Sequence, residues 1–146
     1  MNNIIYIPVL GMPEIKASDN IPELIIDCLR KNKEQLIDND ILIVTQKIVS
    51  KSENRVINLK SITPNRKALN LSESLKKDAR LIQLILNESK SIIKLDKKRG
   101  IIITENNNGH ISANSGIDFS NIKGEHNASL LPKTLMQVQK EYMMIL

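Results

Sequence analysis

Cysteine is almost missing from this sequence. Cys28 is the only one in 146 residues, so no intramolecular disulfide is available and the chain suits a reducing compartment. Aromatic residues are nearly as scarce, with Tyr6, Phe119 and Tyr142 and no tryptophan. A core must therefore be built from Ile and Leu, and nucleic-acid bases have little on which to stack. No apolar run approaches the ~18–20 residues of a membrane helix, the longest being short blocks such as residues 41–44 and 100–103. The N-terminus lacks the basic stretch followed by an apolar one that marks a secretory signal. These absences predict one soluble, cytoplasmic domain, or one piece of a larger one, with no membrane partner.

The standard phosphate cradles are absent as well, since neither G-x-x-x-x-G-K-[ST] nor G-x-G-x-x-G occurs. His110 and His126 have no companion Cys or further His, so a zinc site is not expected. Lys and Arg number 21 against 16 Asp and Glu, a net charge of +5, which together with Lys97-Lys-Arg99 raises the alternative of a basic nucleic-acid-binding module. The charge is dispersed, however, and no reading helix can be identified, so no nucleic acid partner is expected. Ile, Asn and Lys also share A/T-rich codons, a bland source for part of the bias.

What is present reads as a mixed α/β domain: a mixed sheet with flanking helices. Residues 4–9 and 41–45 have the apolar content of strands, the second that of a buried one. Ile21, Leu24, Ile25, Cys28 and Leu29 repeat at helical spacing, with Asp19 or Asn20 to cap and Pro22 in the first turn. Gln46-Lys-Ile-Val-Ser-Lys51 reads as a helical turn, residues 55–59 as a strand and residues 64–75 as a helix. Asp78 caps a second helix on which Leu81, Ile82, Ile85, Leu86, Ser89, Ile92 and Ile93 share a face, with Lys97-Lys-Arg99 beyond its end. Residues 101–105 and 110–113 flank Asn106-Asn-Asn-Gly109, a strong hairpin signal.

Three segments carry chemistry. Thr45-Gln-Lys-Ile-Val-Ser-Lys51 leaves a strand where α/β folds usually bind ligands, and Lys47 and Lys51 lie one helical turn apart, suited to an anion such as phosphate. The bland alternative is a solvated basic turn. Asn114-Ser-Gly-Ile-Asp-Phe-Ser-Asn121 offers Gly116 for a positive φ, and Asp118 and Asn121 as oxygen donors for Mg²⁺ or Mn²⁺. Its alternative is an Asx-type turn. Gly11-Met-Pro-Glu-Ile15 is either a tight connection or a loop whose N–H groups approach an anion.

The succession of these segments resembles a known family. The GMPEI loop, VTQKIVSK-x-E-x-R after a strand, a P-x-R-x-A helix, an L-I-L-x-E-S helix and a hairpin into N-x-G-I-D-x-S-N are similar to the coenzyme F420-0:L-glutamate ligases (gamma-glutamyl ligases), over residues 6–132. Met12 stands where that family usually has Leu, Asn54 replaces a Gly and Ser115 an Ala. The resemblance implies the N-terminal domain of an F420 ligase-like fold, incomplete here, in a homodimeric enzyme. It implies that GTP and a divalent metal, Mg²⁺ or Mn²⁺, serve to attach L-glutamate through its amine to the carboxyl end of F420-0, by way of an acyl phosphate. By the same resemblance Gly11, Met12, Pro13 and Glu14 line the GTP site, Gln46 and Lys47 contact the nucleotide, and Lys51 adds charge near its phosphates. Asp118 ligates the metal and Asn121 holds the nucleotide. The catalytic residues themselves stay unassigned.

The resemblance divides the chain into residues 1–132 and a non-matching tail, 133–146. One permitted codon spelling of the tail, read one frame away, gives Asn-Pro-Asp-Ala-Ser-Ala-Lys-Arg-Ile-Tyr-Asp, close to the D-P-D-x-S-A that the family has there. An out-of-frame tail is thus one expectation, and a short amphipathic terminal helix is the other. A chain lacking the family's C-terminal segment has an alternative function, that of a non-catalytic nucleotide-binding remnant or half-protein.

Overall fold

The computed structural model describes residues 4–120 and 122–133, and these fall into two compact units, residues 4–54 and residues 55–133. The tail beyond Lys133, with both readings of it, lies outside the described residues.

In the first unit the helix α1 (Ile21–Lys31) forms where its local signals put it. The Asn20 side chain accepts the Glu23 N–H, Pro22 occupies the first turn, and Arg30 and Lys31 lie in the last. Its apolar face buries Ile21, Ile25, Cys28 and Leu29. With Ile15, three of these form a small core, onto which Val9, Met12, Leu24, Leu42, Val44 and Ile48 pack. Ile48 comes from the short helix α2 (Gln46–Ser52).

The two segments expected as strands in this unit are corrected. Neither residues 4–9 nor residues 41–45 join a sheet among the described residues. The second is not buried on both faces either: Leu42 and Val44 face the small core, whereas Ile41 and Ile43 are 87% and 79% exposed. Apolar content favours an extended chain, but a strand needs a neighbour to take its N–H and C=O groups, and none is supplied here.

The second unit has its own, larger core of Leu59, Ala68, Leu75, Ile82, Leu84, Ile85, Ile102, Ile117, Ala128 and Leu130. Each Ile or Leu among them contributes about 1.5–3 kcal/mol on burial. Strand β1 (Val56–Asn58) pairs antiparallel with β5 (Asn127–Ser129), joining the start of the unit to its end. Helix α3 (Arg66–Leu75) starts at an Asn65 cap and ends at Lys76, whose left-handed backbone stops it. Helix α4 (Ala79–Asn87) follows, with the Asp78 carboxylate accepting the Arg80 N–H at its start.

From there the chain forms an antiparallel three-stranded sheet, β2 (Ser89–Asp96), β3 (Ile101–Asn106) and β4 (Ile111–Ala113). The α/β class holds, but among the described residues there are two small antiparallel sheets instead of one mixed sheet. The helical face drawn through residue 93 is also too long. Helix α4 stops at Asn87, so Ser89, Ile92 and Ile93 are strand residues, and Lys97-Lys-Arg99 sit in the β2–β3 turn. The physical reason is tertiary: Ile92 and Leu95 find partners in Thr104 and Ile102 across the sheet, which outweighs a helical spacing that β-branched residues support poorly. The Asn-Gly hairpin does form, with the Gly109 N–H donating to the Asn106 carbonyl at 2.9 Å.

Candidate functional site

The candidate residues divide between the two units. On the first, Gly11 takes φ +81°, a left-handed conformation that favours glycine, and opens the loop that runs through Met12, Pro13 and Glu14. Glu14 and Lys51 are brought together, the Lys51 ammonium donating to Glu14 Oε1 at 2.6 Å. That ion pair ties the loop to α2 and balances the Lys51 charge, with the Lys51 side chain 20% exposed and that of Glu14 50%. Gln46 opens α2 and donates from Nε2 to Ser50 Oγ at 2.9 Å, and Lys47 beside it is half-buried. The loop and the lysine-bearing turn are thus neighbours.

The end of α2 explains one departure from the family pattern. Asn54 adopts φ +56°, a conformation that glycine takes freely and asparagine tolerates better than most residues.

On the second unit, Asn114, Ser115 and Gly116 form a left-handed turn, with φ of +51°, +56° and +73° in succession. Two consecutive non-glycine residues in this region cost roughly 1–3 kcal/mol each, and such strain collects at functional sites. Gly116 cannot be replaced cheaply, because a Cβ there would lie 2.7 Å from Leu131 Cδ1. Ser115 is 2% exposed, and its hydroxyl lies 2.6 Å from Ser89 Oγ, 2.7 Å from Thr104 Oγ1 and 3.2 Å from the Ile85 carbonyl. An alanine would leave that polar cluster short of a member.

The turn delivers Asp118, whose backbone is pinned to Ser129 by hydrogen bonds of 3.0 and 2.8 Å. Its carboxylate is arranged as the bland alternative has it: Oδ1 accepts the Ser120 N–H at 2.8 Å and Oδ2 the Ser120 hydroxyl at 2.7 Å. A half-buried carboxylate is still a hard oxygen donor of the kind Mg²⁺ takes singly or in pairs, alongside waters and substrate phosphates. Among the described residues, no group of three or more His, Cys, Asp or Glu gathers around a common point. Asn121 lies outside the described residues.

Sequence reasoning passed over a second polar place in this unit. A cavity of about 190 Å³ is lined by Arg55, Glu88, Asn106, Asn108, Ser115 and Pro132, among others. Arg55 donates from Nε to the Leu131 carbonyl at 2.9 Å and from Nη2 to Glu88 Oε2 at 2.5 Å. The two side chains are 16% and 21% exposed. The signal was available, since Arg55 ends the K-x-E-x-R pattern and Glu88 sits in L-I-L-x-E-S, yet neither had a role attached.

Comparison with known proteins now bears on this arrangement. The model of the F420-0:Gamma-glutamyl ligase family matches residues 10–142. The chain belongs to that family. It is 41% identical over 119 residues to the coenzyme F420:L-glutamate ligase of Methanothermobacter thermautotrophicus, covering 82% of this chain and 46% of that protein. The enzyme of the same name from Methanocaldococcus jannaschii is 37% identical over 127 residues, with shares of 85% and 47%, and that from Methanosarcina barkeri 39% over 117, with 80% and 43%. The chain spans about half the length of the curated relatives it matches. Among the described residues, no helix is long and apolar enough to cross a membrane.

Proposed function

We propose that this chain carries nucleotide-handling parts of a ligase that uses GTP and Mg²⁺ or Mn²⁺ to join L-glutamate, through its α-amine, to the carboxyl end of coenzyme F420-0. The observation that supports this reading most is the family match over residues 10–142, which takes in both the lysine-bearing turn and the aspartate-bearing turn. A carboxylate accepts an amine at neutral pH only once one of its oxygens has become a leaving group, and transfer of phosphate from GTP accomplishes that. Positioned cations stabilise such a transfer more than a protein nucleophile does.

In this reading Lys47 and Lys51 approach the phosphates, with Glu14 fixing the Lys51 ammonium until the nucleotide arrives. Gly11, Met12, Pro13 and Gln46 line the nucleotide, joined by Asn121. Asp118 would hold the divalent cation through the carboxylate that now accepts from Ser120. The bound metal supplies Lewis-acid neutralisation of phosphate charge. The reading also carries a cytoplasmic setting, which a lone, buried Cys28 suits, and a homodimer, which sedimentation tests.

Calorimetric titration of GTP into this chain with and without Mn²⁺ tests the proposal. Binding is expected to depend on the metal and to weaken about tenfold or more, about 1.4 kcal/mol or more, in both Lys47→Ala and Asp118→Ala. Binding indifferent to the metal and to both substitutions would overturn it. The alternative is a nucleotide-binding remnant or half-protein of this family without turnover. Release of phosphate in the presence of F420-0 and L-glutamate separates the two: the ligase releases it and the half-protein does not.

A further inference from the structure

We infer that the cavity beside Arg55 and Glu88 is a binding site for a small α-amino acid in its zwitterionic form, and that L-glutamate is the member of that class it serves. The choice of glutamate rests on the ligase reading above; the amino-acid chemistry rests on the cavity.

The walls are built rather than incidental. Asn106 is 4% exposed, and its carboxamide oxygen accepts the N–H groups of both Asn108, at 3.0 Å, and His110, at 2.9 Å. Those two bonds settle which end of the carboxamide is oxygen, so the nitrogen is the end left over. Asn107 Nδ2 donates to the Asn87 carbonyl and Asn108 Nδ2 to that of Pro132, which fixes the rest of the hairpin turn. Arg55 is held by the Leu131 carbonyl as well as by Glu88.

Three groups on these walls have no protein partner among the described residues: Arg55 Nη1, Asn106 Nδ2 and Glu88 Oε1. The first two are donors, one of them cationic, and the third is an anionic acceptor. Asn106 is buried and the Arg55 and Glu88 side chains are part-buried, and polar groups lining such a cavity are met by water or by a ligand. A carboxylate answers the two donors and an ammonium answers the acceptor, and an α-amino acid carries both groups on one carbon. Arg55 and Glu88 balance each other's charge and Lys133 adds a further cation to the lining, so a simple anion would leave Glu88 Oε1 unanswered and a simple amine would leave Arg55 Nη1 and Asn106 Nδ2 unanswered. At about 30 Å³ per water, the cavity has room for about six waters or one small molecule that displaces them.

The test is a titration of L-glutamate into the ¹⁵N-labelled 146-residue chain without GTP or metal, so that failure here is independent of failure in the nucleotide titration. Saturable shifts are expected at the amides of residues 106–108 and 115. Affinity is expected to fall about tenfold or more for glutarate, which lacks the ammonium, and by a similar factor for L-glutamate with Glu88→Gln or Asn106→Asp. Both substitutions are nearly isosteric, and unchanged amide shifts at Ile102 and Thr104 verify that the sheet is intact. Shifts that stay linear in concentration, glutarate binding as well as glutamate, or indifference to both variants would each overturn the inference.

Discussion

The two units bury their apolar residues to very different degrees. In the second, ten residues form the core, Ile82, Ile85 and Ile102 are wholly buried, and the exposed large apolar side chains are Leu69, Ile93, Ile111 and Phe119. Among the described residues of the first, the core is four residues, while Ile4, Ile5, Tyr6, Ile7, Leu10, Leu36, Ile37, Ile41 and Ile43 are all exposed. Composition does not separate them, since both are rich in Ile and Leu. The difference lies in pairing. In the second unit β2, β3 and β4 satisfy one another's backbone and turn one face inward, whereas in the first the extended segments have no sheet neighbour among the described residues. An apolar sequence is thus a permission to be buried, and tertiary partners decide whether it is used.

The sharpest way to break this comparison is to cut the same side chain in each unit. Ile82→Ala, at a residue 0% exposed, is expected to destabilise the protein by ~2–5 kcal/mol in urea unfolding followed by circular dichroism. Ile43→Ala, at 79% exposed, is expected to stay within ~0.5 kcal/mol. Equal losses would mean that residues 41–45 are covered in solution and that the contrast is false.

The same contrast accounts for what could be read from the amino acids alone. Helix α1 was legible because its signals are local: the Asn20 cap, Pro22 and the spacing of Ile21, Ile25, Cys28 and Leu29 act within a few residues. The β3–β4 hairpin was legible because Asn108-Gly109 makes its own turn. The strand content of residues 4–9 and 41–45 was misjudged, because pairing is a property of distant chain. The run from Ile85 to Ile93 failed for a related reason: a helix and a strand are both compatible with so short an apolar pattern, and β3 decided it. The candidate nucleotide residues were found through motif order, and Gly116 through its backbone demand. Arg55 and Glu88 went unassigned because they lie thirty-three positions apart, and only the fold makes them a pair.

A smaller effect sharpens the account of the second unit's left-handed turn. Gly116→Ala places a Cβ against Leu131 at φ +73°, and is expected to cost ~1–3 kcal/mol by the same urea measurement. Ser115→Gly makes the opposite exchange at φ +56°, relieving backbone strain but removing the hydroxyl that bonds Ser89 and Thr104. A net loss in Ser115→Gly would show that the buried hydroxyl cluster outweighs the strain, and a net gain that it does not.

The smallest expected effect concerns charge. The Asp78 carboxyl is lowered from 3.8 to about 2, chiefly by its hydrogen bonds to the Arg80 side chain, with burial opposing. A depressed carboxylate stabilises the fold while it is ionised, so its contribution is complete above pH ~3.8 and is lost as pH falls toward 2. The two side chains are 37% and 34% exposed, and solvent screening at such a surface leaves only a small Coulombic gain. Asp78→Asn keeps an acceptor for the Arg80 N–H but removes the charge, so it is expected to match the parent in stability at pH 2 and to fall behind it by that small margin at pH 6. No gap at either pH value would assign the role of Asp78 to capping the start of α4 rather than to its pairing with Arg80, and would place this helix, like α1, among the elements held by local backbone chemistry.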